Sequence, residues 1–123
     1  MNSKLIMVLR ILLALILLIF GSNKFFHFMP MPPMEGPPAD FMGALGKTGY
    51  MFPLIALTEI TSGALLLINK WKGLALIFVS IISVNIILFH IVLAPEGIAL
   101  AAVVAVLDIV LIVANWKKFK TLF

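Results

Sequence analysis

The sequence predicts an all-α integral membrane protein: an antiparallel four-helix bundle with a proline-rich outer loop that carries a short helix. Of its 123 residues, 63% are hydrophobic and 11% are charged, whereas about 25% are charged in a typical soluble domain. The apolar residues form four runs, each close to the ~20 residues that cross a bilayer. The basic residues cluster at the ends of these runs, where they anchor helices and set topology.

The four predicted spans cover residues 5–28, 51–69, 74–93 and 98–116. They are predicted to be helices, because a strand that crosses a membrane alternates in polarity over about ten residues. The first span starts with basic residues, as a signal peptide does, but no small-residue cleavage site follows its apolar run. We therefore expect one membrane domain over residues 1–123.

The connections between the spans differ in length and composition. The short turn at 94–97 makes the third and fourth helices antiparallel neighbours. The segment 29–50 is longer and rich in proline, so its first half is predicted to be non-helical. Its prolines are Pro30, Pro32, Pro33, Pro37 and Pro38. Asp40 is predicted to cap a short helix over residues 41–47, and the segment is either a lid over the outer mouth or a stiff connector.

The distribution of basic residues predicts the orientation. With both termini in the cytoplasm, seven of the nine basic residues lie inside, which is the usual bias of membrane proteins. These seven are Lys4, Arg10, Lys70, Lys72, Lys117, Lys118 and Lys120. The loops 29–50 and 94–97 then lie outside, and the protein is predicted to be integral to the plasma (inner) membrane. The lipid bilayer explains the basic residues, and no basic face of the kind that binds nucleic acid is present.

Ionisable and polar residues within the spans form the candidate site. Glu59 and Asp108 each lie inside an apolar run, where an ionisable group costs roughly 3 kcal/mol on insertion scales. Lys24 supplies a counter-charge, and the helical rise of ~1.5 Å per residue places these three residues and Asn85 in the outer half of the membrane. We predict a polar outer-half pocket formed chiefly by Lys24, Glu59 and Asp108. The full predicted set is Lys24, His27, Glu59, Asn85, His90 and Asp108.

The same groups also have a purely structural interpretation. Lys24 and Glu59 would then form an ion pair that holds the first two spans together, while Asp108 hydrogen-bonds only Asn85 or a backbone group. A ligand or proton site, and a contact surface for another protein, stay open as alternatives. In each case we expect Lys24 to pair with Glu59.

The third span and the histidines add weaker signals. Ser83 and His90 are seven residues apart and share a helix face, whereas Asn85 points away from both. One of these polar groups is therefore expected to face lipid headgroups or another subunit. Because His27 and His90 lie on separate spans, no metal site is predicted. The chain has no cysteine, so it has no thiol redox centre of its own, and catalytic residues stay unknown.

The order of several short motifs resembles that of the DoxX family. Arg10 precedes an apolar run that ends at Gly21, and Lys24 follows three residues later. Glu59 stands four residues before Gly63 in the second span. The end of the third span contributes Asn85, Phe89, His90 and Pro95. The resemblance covers nearly the whole chain and implies a small four-helix membrane protein.

The resemblance implies several possible functions rather than one. The family is named for its similarity to subunits of a thiosulfate:quinone oxidoreductase, some members are linked to membrane oxidoreductase complexes, and distant relatives are assembly factors. The leading interpretation is a non-catalytic subunit whose pocket binds a small ligand or supports a redox-enzyme partner. A quinone-reactive subunit would instead use Lys24, His27 and His90 on quinone oxygens. A proton-coupled transporter, an assembly factor with a client protein, and a homo-oligomer also stay open.

Overall fold

The structure, a computed structural model, describes residues 2–29 and 33–122, so Pro30 and Pro32 of the predicted loop lie outside it. The described residues form six α-helices, and none of them lies in a strand. The helices are α1 (Ser3–Phe26), α2 (Pro37–Lys47), α3 (Met51–Leu67), α4 (Lys72–Val92), α5 (Ile98–Ala114) and α6 (Trp116–Phe119). Short 3-10 turns cover Pro95–Gly97 and Lys120–Leu122. The predicted all-α fold is confirmed.

The four long helices form a closed ring. α1 packs against α3 and α5, and α4 packs against the same two helices. Phe119, at the end of α6, is buried in one core cluster with Leu13 of α1, so the two ends of the chain lie at the same end of the bundle. We call this end, which carries Lys4, Arg10, Lys70, Lys72, Lys117, Lys118 and Lys120, the basic end. The opposite end, which carries α2 and Pro95–Gly97, is the loop end.

Three helices are long and apolar enough to cross a membrane: α1, α4, and α5 together with its preceding turn, Pro95–Ala114. α3 has 17 residues, about 26 Å, which falls a little short of the ~30 Å hydrocarbon core. It becomes a fourth span when it is taken together with α2, from which it is bent by 88°. These helices lie within a few residues of the four predicted spans and support the predicted membrane bundle.

The predicted start of the short loop helix is wrong. We expected residues 41–47 after a cap at Asp40, but α2 begins at Pro37. Prolines fit the first turn of a helix because the N–H that they lack has no helical partner there. Gly36 precedes them with φ 70°, a conformation that glycine adopts without strain. Asp40 lies in the first turn instead, where its charge favours the helix dipole.

α2 lies across the loop end of the bundle. None of its residues is buried, and the ring of Phe41 contacts that of Phe89 on α4, with centroids 5.5 Å apart. Gly46 lies against Phe52, since a Cβ added at this glycine would sit 3.6 Å from the phenylalanine ring. α2 is therefore held to the loop ends of α3 and α4 by aromatic contacts.

α1 and α3 approach each other through one glycine from each helix. A Cβ added at Gly21 would lie 2.9 Å from Cγ1 of Ile60. A Cβ added at Gly63 would lie 2.9 Å from Cγ of Leu18 and 3.0 Å from the carbonyl oxygen of Ala14. Small residues allow such close backbone contact between helices in a membrane, so these two glycines bring α1 and α3 together beside Glu59.

Gly63→Ala should destabilise the bundle by about 1–3 kcal/mol, because the added methyl group overpacks the contact with α1. Gly43→Ala in α2 is the matched control, since nothing lies within 4 Å of the added carbon and alanine has the higher helix propensity. Thermal unfolding followed by circular dichroism in a neutral detergent compares the two. Equal melting temperatures for both variants would contradict the close contact.

Candidate functional site

Lys24 on α1 and Glu59 on α3 form the predicted ion pair. Nζ of Lys24 lies 2.6 Å from Oε1 of Glu59, and the two side chains are 27% and 5% exposed. Side chains on a helix tilt toward its N-terminus, and α1 and α3 run in opposite directions, so the two side chains lean toward each other. Gly21 leaves room for the pair, since a Cβ there would lie 3.1 Å from Cβ of Glu59.

Arg10 makes a second contact between α1 and α3, which the sequence analysis missed. Its guanidinium donates to the carbonyl oxygen of Leu66, and to that of Leu67 at 3.2 Å. The last carbonyl groups of a helix lack helical partners and carry partial negative charge, so Arg10 caps the end of α3. The signal was present in the sequence, because Arg10 lies on the same stripe of α1 as Lys24.

Asp108 on α5 is buried and binds a serine of α4. Its side chain is 3% exposed, and its Oδ2 lies 2.7 Å from Oγ of Ser80. In the purely structural interpretation we expected Asn85 or a backbone group as the partner of Asp108, but the partner is Ser80. Asn85 is exposed and donates to the carbonyl of Ile81 in its own helix at 2.9 Å. Asn85 follows Ser80 by five residues, so the two side chains point about 140° apart around the axis of α4.

Ser80 has one hydroxyl proton for two neighbouring oxygen atoms. Its Oγ lies 2.8 Å from the carbonyl oxygen of Leu76 and 2.7 Å from Oδ2 of Asp108. A hydroxyl group donates once and accepts twice. Both hydrogen bonds therefore form together when Asp108 carries a proton and donates it to Ser80, which in turn donates to Leu76.

Four buried side-chain oxygens line the interior at similar depth. Oγ of Ser62, Oγ of Ser83 and Oδ1 of Asp108 have no hydrogen-bond partner among the described residues, whereas Oε1 of Glu59 is paired with Nζ of Lys24. The helical rise places these residues about 12–17 Å from the loop ends of their helices. We call Glu59, Ser62, Ser83 and Asp108 the interior polar layer. Its oxygens can accept hydrogen bonds from water or bind a proton.

The two histidines lie apart from the ion pair. Nδ1 of His90 is 2.9 Å from the carbonyl oxygen of Ala94, and its ring fills the space beside Gly97. His90 therefore stabilises the turn between α4 and α5. His27 is exposed and follows the end of α1 with φ 51°. Within residues 2–29 and 33–122, no three His, Asp or Glu side chains are grouped as a metal site requires.

Two of the surface hollows among the described residues are shallow and lie on the helix surfaces. The first has a volume of about 240 Å³ and is lined by Phe41, Asn85, Leu88, Phe89, Val92 and Leu93. We call it the loop-end hollow. The second, about 190 Å³, is lined by Leu57, Thr58, Thr61 and Phe78. Neither is lined by Lys24, Glu59 or Asp108, so the structure does not bring all six predicted residues into one pocket.

The sequence model of the DoxX family matches residues 5–91. The chain belongs to the DoxX family. The matched residues include Lys24, Glu59 and Asn85, whereas Asp108 lies beyond them, so its contact with Ser80 joins the family region of this DoxX protein to α5. No curated protein and no solved structure matches the sequence.

Lys24→Met should destabilise this DoxX protein by about 1–3 kcal/mol, because it leaves the buried Glu59 without a cation. Glu59→Gln should have a smaller effect, since Lys24 is partly exposed and its long side chain can reach the surface. The double variant should be more stable than Lys24→Met alone. Unfolding in mixed micelles with increasing dodecyl sulfate measures these differences, with Lys47→Met as the exposed control. Additive losses would show that the pair contributes no coupling energy.

Asp108→Asn tests whether Asp108 carries this proton: if it does, the amide N–H replaces the carboxyl O–H as donor to Ser80, and stability should stay nearly unchanged. Ser80→Ala should cost about 1–3 kcal/mol, since it leaves a buried carboxyl group without its partner. The same unfolding assay compares the two variants. If Asp108→Asn destabilises the protein as strongly as Ser80→Ala, the fold depends on a charged carboxylate and the proposed proton is absent.

Proposed function

We propose that this DoxX-family protein is a non-catalytic membrane subunit that binds a small lipid-soluble ligand at its loop-end hollow and supports an oxidoreductase partner. The observation that carries this proposal is the position of Asn85, an exposed amide beside an apolar hollow on a membrane-spanning helix. A polar group that faces hydrocarbon is unfavourable unless it finds a hydrogen-bond partner. A bound ligand supplies that partner.

The amide of Asn85 has free hydrogen-bonding capacity. One N–H donates to Ile81, which holds the side chain in place, while the second N–H and the carbonyl oxygen are available to a ligand. The hollow opens on the outer surface of α4, where Leu88 is 52% and Val92 is 70% exposed. The site therefore combines one polar group with an apolar wall, as small-ligand sites usually do.

A quinone of the membrane pool is the ligand class that fits best. The amide N–H of Asn85 would donate to a quinone carbonyl, and the rings of Phe41 and Phe89 would contact the quinone ring. A volume of about 240 Å³ suits a single ring, and the isoprenoid tail would lie along the apolar surface of α4. Because the chain contains no cysteine, electrons would come from the partner.

The charged side chains support a subunit rather than an enzyme. Lys24 and Glu59 neutralise each other, and Arg10 caps α3. These groups hold α1 against α3, so they are engaged in the fold. We further propose that the protein lies in the plasma membrane with the basic end in the cytoplasm, which follows the charge bias of the sequence.

Proton transfer is a second candidate function. The buried, unpartnered Oδ1 of Asp108 favours it, because buried ionisable groups in membrane helices often serve as proton relays. Substrate-coupled pH change in proteoliposomes would distinguish this activity from ligand binding.

Leu88→Trp should fill the loop-end hollow and raise the Kd for a short-chain ubiquinone at least tenfold. Asn85→Leu should raise it about two- to tenfold through loss of one hydrogen bond. Val84→Trp is the matched control, because Val84 is on the same helix and 59% exposed but does not line the hollow. Equilibrium binding to protein in nanodiscs, with empty nanodiscs as the blank, measures Kd. Absence of saturable binding, or equal effects of both tryptophan variants, would rule out this site.

A further inference from the structure

We propose that the basic end holds an anionic phospholipid, whose headgroup phosphate binds Lys72 of α4 and Lys118 of α6 beside Arg10 of α1. This site is separate from the loop-end hollow and does not depend on the proposed function. It is also independent of which side of the membrane the basic end faces.

The basic end carries positive charge without any acidic side chain. Seven of the nine basic residues lie there. The five acidic residues are Glu35, Asp40 and Glu96 at the loop end, and Glu59 and Asp108 inside the bundle. No acidic side chain of residues 2–29 and 33–122 therefore offers a counter-charge to the lysines of this end.

Helix packing brings three of these cations together. A Cβ added at Gly73, in the first turn of α4, would lie 3.8 Å from Cβ of Lys118, so α6 packs against the start of α4. The positive charges of Lys118 and Arg10 lie close enough to Lys72 to repel its own charge. Phe119, which is 5% exposed, anchors α6 in the core next to them. The cations are thus held close by apolar packing, although like charges repel.

An anion would relieve this repulsion, and the surroundings identify it as a lipid headgroup. Trp71 is 65% and Trp116 is 49% exposed at the same end, and such aromatic side chains prefer the membrane interface. Ile68 and Leu5 are also exposed there, at 64% and 49%, and would contact acyl chains. Basic clusters between helix ends bind phospholipid headgroups in this way.

The positive-inside bias alone does not explain the cluster. Orientation in the membrane requires basic residues near the helix ends, but it does not require that they converge from three helices. Arg10 already caps the carbonyls of Leu66 and Leu67. Lys72 and Lys118 are therefore the cations left for a phosphate.

Native mass spectrometry of the full chain, released from a neutral detergent, tests the proposal by titration with lipid. Phosphatidylglycerol is compared with phosphatidylcholine of the same acyl chains. Lys72→Gln/Lys118→Gln removes the proposed site, and Lys4→Gln/Lys120→Gln removes two exposed charges of the same end as the matched control. Soluble glycerol phosphate and a short DNA oligonucleotide serve as competitors without acyl chains.

The wild-type protein should bind phosphatidylglycerol more tightly than phosphatidylcholine. Lys72→Gln/Lys118→Gln should weaken phosphatidylglycerol binding tenfold or more, at about fivefold per lysine, while the control changes it less than about threefold. Equal losses in both double variants, unchanged binding in Lys72→Gln/Lys118→Gln, or full displacement by either soluble competitor would overturn the proposal. If that double variant fails to fold, Lys118→Gln alone, at an exposed position, should show the fivefold loss.

Discussion

The contact between α1 and α3 is the interaction on which the rest of the bundle depends. Lipid is as apolar as the helix surfaces, so helices in a membrane associate through close packing and polar contacts. Gly21 and Gly63 allow the backbones to approach, while Arg10 binds the C-terminal end of α3 and Lys24 binds Glu59 at its middle. The two cations are 14 residues, or about 21 Å, apart on α1. A shift of one helix along the other would break both polar contacts together, so they fix the register of this pair.

The sequence predicted the spans and this ion pair because both leave direct signals. Long apolar runs define where the spanning helices begin and end. A buried acidic side chain in a membrane helix is costly unless a cation lies nearby, and Lys24 is that cation. The partner of Asp108 was not predictable in the same way. Ser80 and Asn85 lie on the same helix, and the rotation of α4 against α5 decides which of them faces Asp108. That rotation depends on how all four long helices pack against one another, and it cannot be predicted from the sequence of α4 alone.

At the loop end, too, the start of α2 and the direction of Asn85 depend on context that the local sequence does not contain. The prolines of α2 predict a break in the helix, yet proline disrupts a helix only where an N–H is required, and the first turn requires none. Asn85 is exposed on α4 and does not face the bundle interior. An exposed amide lies beside a hollow, whereas the buried charges are engaged within the bundle. For this reason the candidate ligand site that we propose is on the surface of α4 rather than among the buried charges.

α5 shows why the region that matches the family cannot be considered alone. The match ends at residue 91, but the ring closes only when α5 packs between α1 and α4. Leu107 and Leu111 of α5 belong to the same core cluster as Leu13 and Leu76, so removal of α5 would expose the inner faces of its two neighbours. The hydrogen bond between Asp108 and Ser80 adds a directional contact to that apolar packing. Since apolar surfaces alone do not fix the rotation of a helix in lipid, this buried pair sets how α5 faces α4.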